Sequence, residues 1–199
     1  MSFFISALVL SVAASLLQIL GYWIYFVKIR EKRVRPNTAS WSIWAFGAVL
    51  ESVSYVFVTG DWVKNLLPVA CALCAVLLFL YCVRYGHFEK LSQLDRILVM
   101  VDLVIILIWW LSKSPIYANI LLVITAVVSF LPIIRSTWIN PRNENASPWF
   151  FWTSAYCLLT ILVMLRWEKW EDLVYPVTFA ILHALIGIFA LDSRLPKTP

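Results

Sequence analysis

Charged side chains make up only 14% of this 199-residue chain, histidine occurs twice and glycine five times, against 62% hydrophobic residues. So little charge excludes a water-soluble domain, because a chain of this length folded in water would expose apolar patches far larger than soluble proteins carry. Two histidines, His87 and His183, leave a minimal supply of imidazole bases or metal ligands. GxSxG, HExxH, Walker-type and dinucleotide-binding glycine patterns are all missing, which removes the common hydrolase, metallopeptidase, nucleotide-hydrolysing and dehydrogenase chemistries. No enzyme activity, cofactor or metal is therefore expected. Cys71, Cys74, Cys82 and Cys157 fall in apolar runs, where a thiol behaves as a small apolar side chain. The CxxC formed by Cys71 and Cys74 lacks the second ligand pair that a zinc site needs.

What the chain has in quantity is long apolar runs, at about residues 3–27, 41–59, 66–83, 97–112, 116–134, 149–165 and 173–191. Each is near the length that crosses about 30 Å of hydrocarbon as a helix. The expected fold class is an all-α integral membrane protein with seven transmembrane helices. The first run lacks a basic n-region and ends in a basic cluster instead of a cleavage site, so it is expected to stay as a helix. Lys and Arg then set the orientation. Twelve of them (Lys28, Arg30, Lys32, Arg33, Arg35, Arg84, Lys90, Arg96, Arg135, Arg142, Arg194 and Lys197) fall on one side, against Lys64, Lys113, Arg166 and Lys169 on the other. By the positive-inside rule the N-terminus lies outside and the C-terminus in the cytoplasm. The net charge of +5 is explained by this topology and by contact with anionic headgroups of the lipid bilayer, and no nucleic acid partner is expected.

A second regularity is internal. Trp41 and Trp44 recur as Trp149 and Trp152, Trp62 as Trp170, and Pro68-Val69 as Pro176-Val177, all at a spacing of 108 residues. Upstream, Ala39-Ser40-Trp41 faces Ala146-Ser147-Pro148-Trp149, where an inserted Pro148 shifts the offset to 107 and pairs Lys28 with Arg135. The spacing carries the first three runs onto the last three. It predicts two three-helix bundles, residues 1–91 and 114–199, joined by a linker helix within 92–113. An odd connector gives both bundles one orientation, so the repeats are parallel, an arrangement characteristic of transporters with a substrate site between the copies.

In each copy a helix end, a basic loop and an aromatic helix start follow one another: Tyr25-Phe26-Val27-Lys28 to Ser40-Trp41-Ser42-Ile43-Trp44, and Leu131-Pro132-Ile133-Ile134-Arg135 to Pro148-Trp149-Phe150-Phe151-Trp152. With the 3+1+3 plan and an external N-terminus, the whole chain resembles the SWEET and PQ-loop superfamily of small-solute transporters. The family's Pro-Gln pair is half kept: Pro132 is followed by Ile133, and the matching place in the first helix is Tyr25-Phe26. The resemblance implies alternating access with prolines as hinges, which makes Pro68, Pro132 and Pro176 hinge candidates. Proline removes a backbone bond and loosens a helix locally. For Pro68 and Pro176 a bland alternative is a place in the first helical turn. The doubled WxxW is also similar to PnuC-type vitamin-precursor transporters. Their Asn four residues later is replaced here by Ala48 and Tyr156, which makes nicotinamide riboside a secondary candidate.

Trp41, Trp44, Ala48, Ser52 and Tyr55 share one helical face, and Trp149, Trp152, Tyr156 and Thr160 repeat that spacing. Two such stripes could line a pocket whose flat aromatic faces stack on a sugar, nucleobase or pyridine ring. The competing expectation for Trp41, Trp44, Trp149 and Trp152 is anchoring at the membrane interface, where tryptophan is enriched. Trp62, Trp109, Trp110 and Trp170 are expected in the outer aromatic belt. Glu51 and His183 stand at similar depth, roughly 15 Å inside their helices at 1.5 Å per residue, and ionisable groups there are functional candidates. They are expected either to bind a polar substrate group or to relay a proton, with ordinary packing bonds as the alternative. Gln18 and Asn65 are further polar candidates, and Asp102, on the linker, is expected to make a local contact.

These residues point to a permease for a small polar solute, such as a sugar or nucleoside-like compound. The substrate-binding candidates are Trp44, Glu51, Ser52, Tyr55, Trp152, Tyr156, Thr160 and His183. A membrane receptor or sorting protein on the same scaffold, as the KDEL receptors resemble SWEETs, is the alternative from another class. Such a receptor needs cationic side chains inside its cavity to meet a peptide carboxylate. A purely structural bundle is a third possibility. Short loops fit a bacterial inner membrane protein, and two triplets in one chain would let a monomer enclose the whole pathway.

Overall fold

In a computed structural model, which describes residues 2–86, 90, 92–112 and 115–191, the chain forms seven α-helices and one short 3-10 turn. They are α1 (Ser2–Arg30), α2 (Thr38–Thr59), α3 (Trp62–Tyr85), α4 (Gln93–Ser112), α5 (Pro115–Ile139), α6 (Ala146–Leu165) and α7 (Glu171–Ala190), with the turn at Pro141–Asn143. Six of them, all but α4, are long and apolar enough to cross a membrane. The exception α4 carries Asp95, Arg96 and Asp102 within its twenty residues. The side chains of Asp102 and Trp109 lie outside the described residues, as do His87, Lys113, Arg194 and Lys197.

Asparagine and aspartate start the helices earlier than the apolar runs suggest. Asn37 accepts a bond from Ser40 N at 3.0 Å before α2, Asp61 from Val63 N at 2.9 Å before α3, and Asn145 from Ser147 N at 3.2 Å before α6. Each side chain satisfies a backbone donor that the first turn leaves without a partner. Gly60 ends α2 with φ of 59°, a left-handed conformation that glycine adopts without a steric penalty.

Asn37 and Asn145 are themselves 108 residues apart. The offset therefore runs unbroken through both helix starts, Ser40 matches Pro148, and the inserted residue expected at Pro148 is not needed. Two prolines also sit deeper than expected. Because α3 begins at Trp62 and α7 at Glu171, Pro68 and Pro176 lie in the second turn, where a proline does break a helical bond. At Pro176 the carbonyl so freed is that of Asp172. The Tyr55 hydroxyl on α2 donates to it at 2.9 Å.

Helix contacts run in a closed order, α1 to α3, α3 to α2, α2 to α5, α5 to α7, α7 to α6 and α6 back to α1. Helix α4 packs outside this ring, against α5 and α2. Outward faces are apolar, as with Leu73, Leu77 and Leu80 on α3 and Val9, Leu16 and Trp23 on α1. Such faces suit lipid, and between helices in lipid it is close packing and hydrogen bonds, more than exclusion of water, that hold the ring together.

Candidate functional site

The capped starts of α2 and α6 bring four tryptophans together. Trp41 and Trp44 meet edge to face at 5.1 Å, and Trp149 and Trp152 at 4.9 Å. Across the ring Trp44 faces Trp149 at 6.1 Å and Trp41 faces Trp152 at 6.4 Å, a matched pair of distances. The flanks match too: Phe130 lies 4.6 Å from Trp44, and Tyr22, 108 residues earlier, lies 5.0 Å from Trp152. Trp41, Trp149 and Trp152 are buried and Trp44 partly so. These four rings form the interior of one end of the bundle, whereas Trp62, Trp110 and Trp170 are exposed as a belt requires.

Every indole N–H in this cluster has an acceptor. Trp44 Nε1 donates to Ser129 Oγ at 2.6 Å and Trp152 Nε1 to the Gln18 carbonyl at 3.2 Å. Trp41 Nε1 donates to Tyr25 Oη at 3.3 Å and Trp149 Nε1 to Glu144 Oε2 at 3.0 Å. Tyr25 in turn donates to Glu144 Oε1 at 2.9 Å. Glu144, from the segment before α6, thus binds α1 and α6 with both oxygens and closes this end. The approach of Trp152 to α1 depends on Gly21. A Cβ there would lie 2.5 Å from Trp152 Nε1, well inside van der Waals contact.

The opposite end closes with charge. Lys64 on α3 lies 2.8 Å from Asp172 on α7, both side chains wholly buried, and 3.3 Å from the exposed Glu168. Arg166 meets Asp61 at 2.5 Å, and Lys169 Nζ donates to the Val58 carbonyl at 2.6 Å. Lys64 and Asp172 are again 108 residues apart. The cation and the anion of this pair thus stand at the same spacing as the tryptophans.

Between these two closures lies a cavity of about 50 Å³, room for a few waters. All six ring helices line it, and no described residue of α4 does. Five of the sequence candidates reach it: Trp44, Glu51, Trp152, Tyr156 and His183. Three do not. Ser52 is buried beside it, Thr160 Oγ1 turns back to the Tyr156 carbonyl at 2.8 Å, and Tyr55 is committed to Asp172. Of the hinge candidates, Pro132 lies in α5 and Pro68 and Pro176 in α3 and α7, none of them on the lining.

Glu51 and His183 share the cavity, but no hydrogen bond or ion pair joins them. Glu51 Oε1 accepts from Asn119 Nδ2 at 2.7 Å, while its Oε2 is buried without a partner. Thr125 Oγ1, also on the lining, is buried without a partner too. His183 Nδ1 donates to the Phe179 carbonyl at 2.7 Å, which leaves Nε2 as the acceptor nitrogen, and the ring stacks on Tyr156 at 5.1 Å. The other polar candidates are only partly satisfied, since Gln18 Oε1 and Asn65 Oδ1 are buried without a partner. The Gln18 backbone receives Trp152, and Asn65 Nδ2 donates to Thr59 Oγ1 at 2.8 Å and to the Asp61 carbonyl at 2.6 Å. Sequence reasoning missed Tyr22, Cys71, Asn119, Thr125 and Glu144, together with the ion pairs. The one available signal was the spacing of Lys64 and Asp172, which equals the tryptophan spacing.

The chain matches no protein-family model, no curated protein and no solved structure.

Proposed function

We propose that this multi-pass membrane protein is a permease, which moves a small polar solute by alternating access between two parallel three-helix halves joined by α4. In this reading the halves are residues 1–91 and 114–199, the N-terminus is external, and the plan is SWEET-like. The observation that carries it is the cavity lined by all six ring helices and closed at both ends by different chemistry. The aromatic cluster with Glu144 is the inner closure and the Lys64–Asp172 pair with Arg166–Asp61 the outer one. Rocking the halves about the cavity would open one closure while the other holds. Trp44, Trp152 and Tyr156 offer faces on which a sugar or nucleoside-like ring stacks, and Glu51, Thr125 and His183 offer polar contacts.

A receptor for a peptide carboxylate fits less well, because neither Lys nor Arg is among the described residues that line the cavity. A PnuC-type substrate fits less well than the broader class, because Ala48 and Tyr156 hold the places of the expected asparagines.

The test is uptake by proteoliposomes, with melting of the purified protein alongside, across mono- and disaccharides, nucleosides, nicotinamide riboside, amino acids and small amines. One class should enter the vesicles and raise the melting temperature by mass action, and Trp152→Ala should abolish both effects. If no compound enters and none stabilises the fold, the permease reading is wrong. Glu51→Gln and His183→Ala separate the roles of the two ionisable groups. If uptake and its pH dependence survive both changes, neither residue binds substrate or relays a proton.

A further inference from the structure

Around this cavity the chemistry is one-sided. Its walls are mainly aromatic, its one carboxylate is Glu51, and no Lys or Arg reaches it among the described residues. The cations deepest in the bundle are engaged elsewhere: Lys64 with Asp172 and Glu168, and Arg166 with Asp61. Glu51 is 5% exposed, and its Oε2 has no donor in the protein although Oε1 has Asn119. A buried carboxylate oxygen without a protein partner calls for a water, an ion or a ligand to satisfy it. Ring faces carry negative potential, and several of them around one space attract a weakly hydrated cation. Tyr22, Trp44, Trp152, Tyr156 and Tyr175 all line that space.

We propose that the cavity is a site for a small organic cation of the quaternary ammonium type, its charge held by Glu51 Oε2 and the surrounding rings. A hydroxyl on such a cation has Thr125 Oγ1 as a partner, since that atom too lacks one. Size disfavours a disaccharide, since about 50 Å³ leaves space for only a compact group. A metal cation fits poorly, since among the described residues no group of three His, Cys, Asp or Glu side chains stands together to hold one. This inference rests on the permease reading for its biological sense but not on the sugar or nucleoside examples given there.

The test compares choline with 3,3-dimethyl-1-butanol, which has the same shape with a neutral carbon in place of the charged nitrogen. Both are titrated against the melting temperature of the wild-type protein, and glucose and uridine are run beside them. Choline should bind at least about tenfold more tightly than its neutral isostere. Glu51→Gln should remove that preference, and Trp44→Leu should weaken choline while leaving the isostere little changed. Equal binding of the two isosteres overturns the inference without recourse to any variant. Stabilisation by glucose or uridine but not by choline overturns it and leaves the permease reading standing. No stabilisation by any of the four, with no uptake across the wider panel, overturns both.

Discussion

Gly21 and Gly47 make a controlled pair, because both lie inside apolar helices and only one is crowded. Gly21→Ala puts a methyl group 2.5 Å from the Trp152 indole, so α1 and α6 must separate or the ring must turn. Overpacking of this kind costs about 1–3 kcal/mol. Gly47 has nothing within 4 Å of its missing Cβ. Gly47→Ala should therefore leave the melting temperature unchanged or slightly raised, while Gly21→Ala lowers it; equal effects would mean that α1 and α6 do not pack as closely as described. At this scale the sequence was partly legible. The aromatic stripe led to Trp44, Trp152 and Tyr156 because helical spacing alone puts them on one face. It also led to Ser52, Tyr55 and Thr160, which do not line the cavity; the Tyr55 hydroxyl is bonded to the Asp172 carbonyl and Thr160 Oγ1 to the Tyr156 carbonyl. Glu144 was not legible, since an acid in a polar loop looks solvated until Tyr25 and Trp149 are found on its two oxygens.

Among the helices, α7 shows most clearly how a local defect is compensated from a neighbour. Pro176 frees the Asp172 carbonyl and Tyr55 on α2 satisfies it. Tyr55→Phe should destabilise the protein by about 1 kcal/mol, the usual worth of one buried hydrogen bond. In a Pro176→Ala background the same change should have a smaller effect, because the restored backbone N–H then takes the carbonyl. A double-mutant cycle by reversible unfolding in detergent measures this coupling, and strict additivity would contradict it. The helix starts teach the same lesson about reading sequences. Hydropathy placed α3 at residue 66 because Lys64 and Asn65 look like loop residues. Lys64 belongs to the helix because Asp172, over a hundred residues away, neutralises it. An apolar window carries no information about such a partner.

For the molecule as a whole, the matched contacts at a spacing of 108 residues make a direct prediction about charge. Lys64 and Asp172 stand at that spacing, so exchanging them should recreate the pair with its sense reversed. Lys64→Asp alone, or Asp172→Lys alone, leaves like charges buried together and should cost about 3–5 kcal/mol, the range for breaking a buried pair. The double exchange should recover most of that stability in an unfolding assay. Recovery should be incomplete because Glu168, 3.3 Å from Lys64, would then face a carboxylate at position 64. The ring order of the helices was less accessible than their number. Apolar runs count spans, but which helix stands between which two others depends on side-chain fit across the bundle, and only the repeat spacing hinted at it.

Alternating access itself is tested most directly through Cys71, which lines the cavity within 3.4 Å of the Tyr22 hydroxyl. The experiment uses a variant in which Cys74, Cys82 and Cys157 are alanine, and labels oriented membrane vesicles with a membrane-impermeant thiol reagent applied to one face at a time. If the cavity opens alternately through the aromatic end and the ion-paired end, Cys71 is modified from both faces, and a bound substrate slows both reactions. Modification from one face only, or from neither, would contradict the account and leave a bundle with a closed cavity in place of a permease.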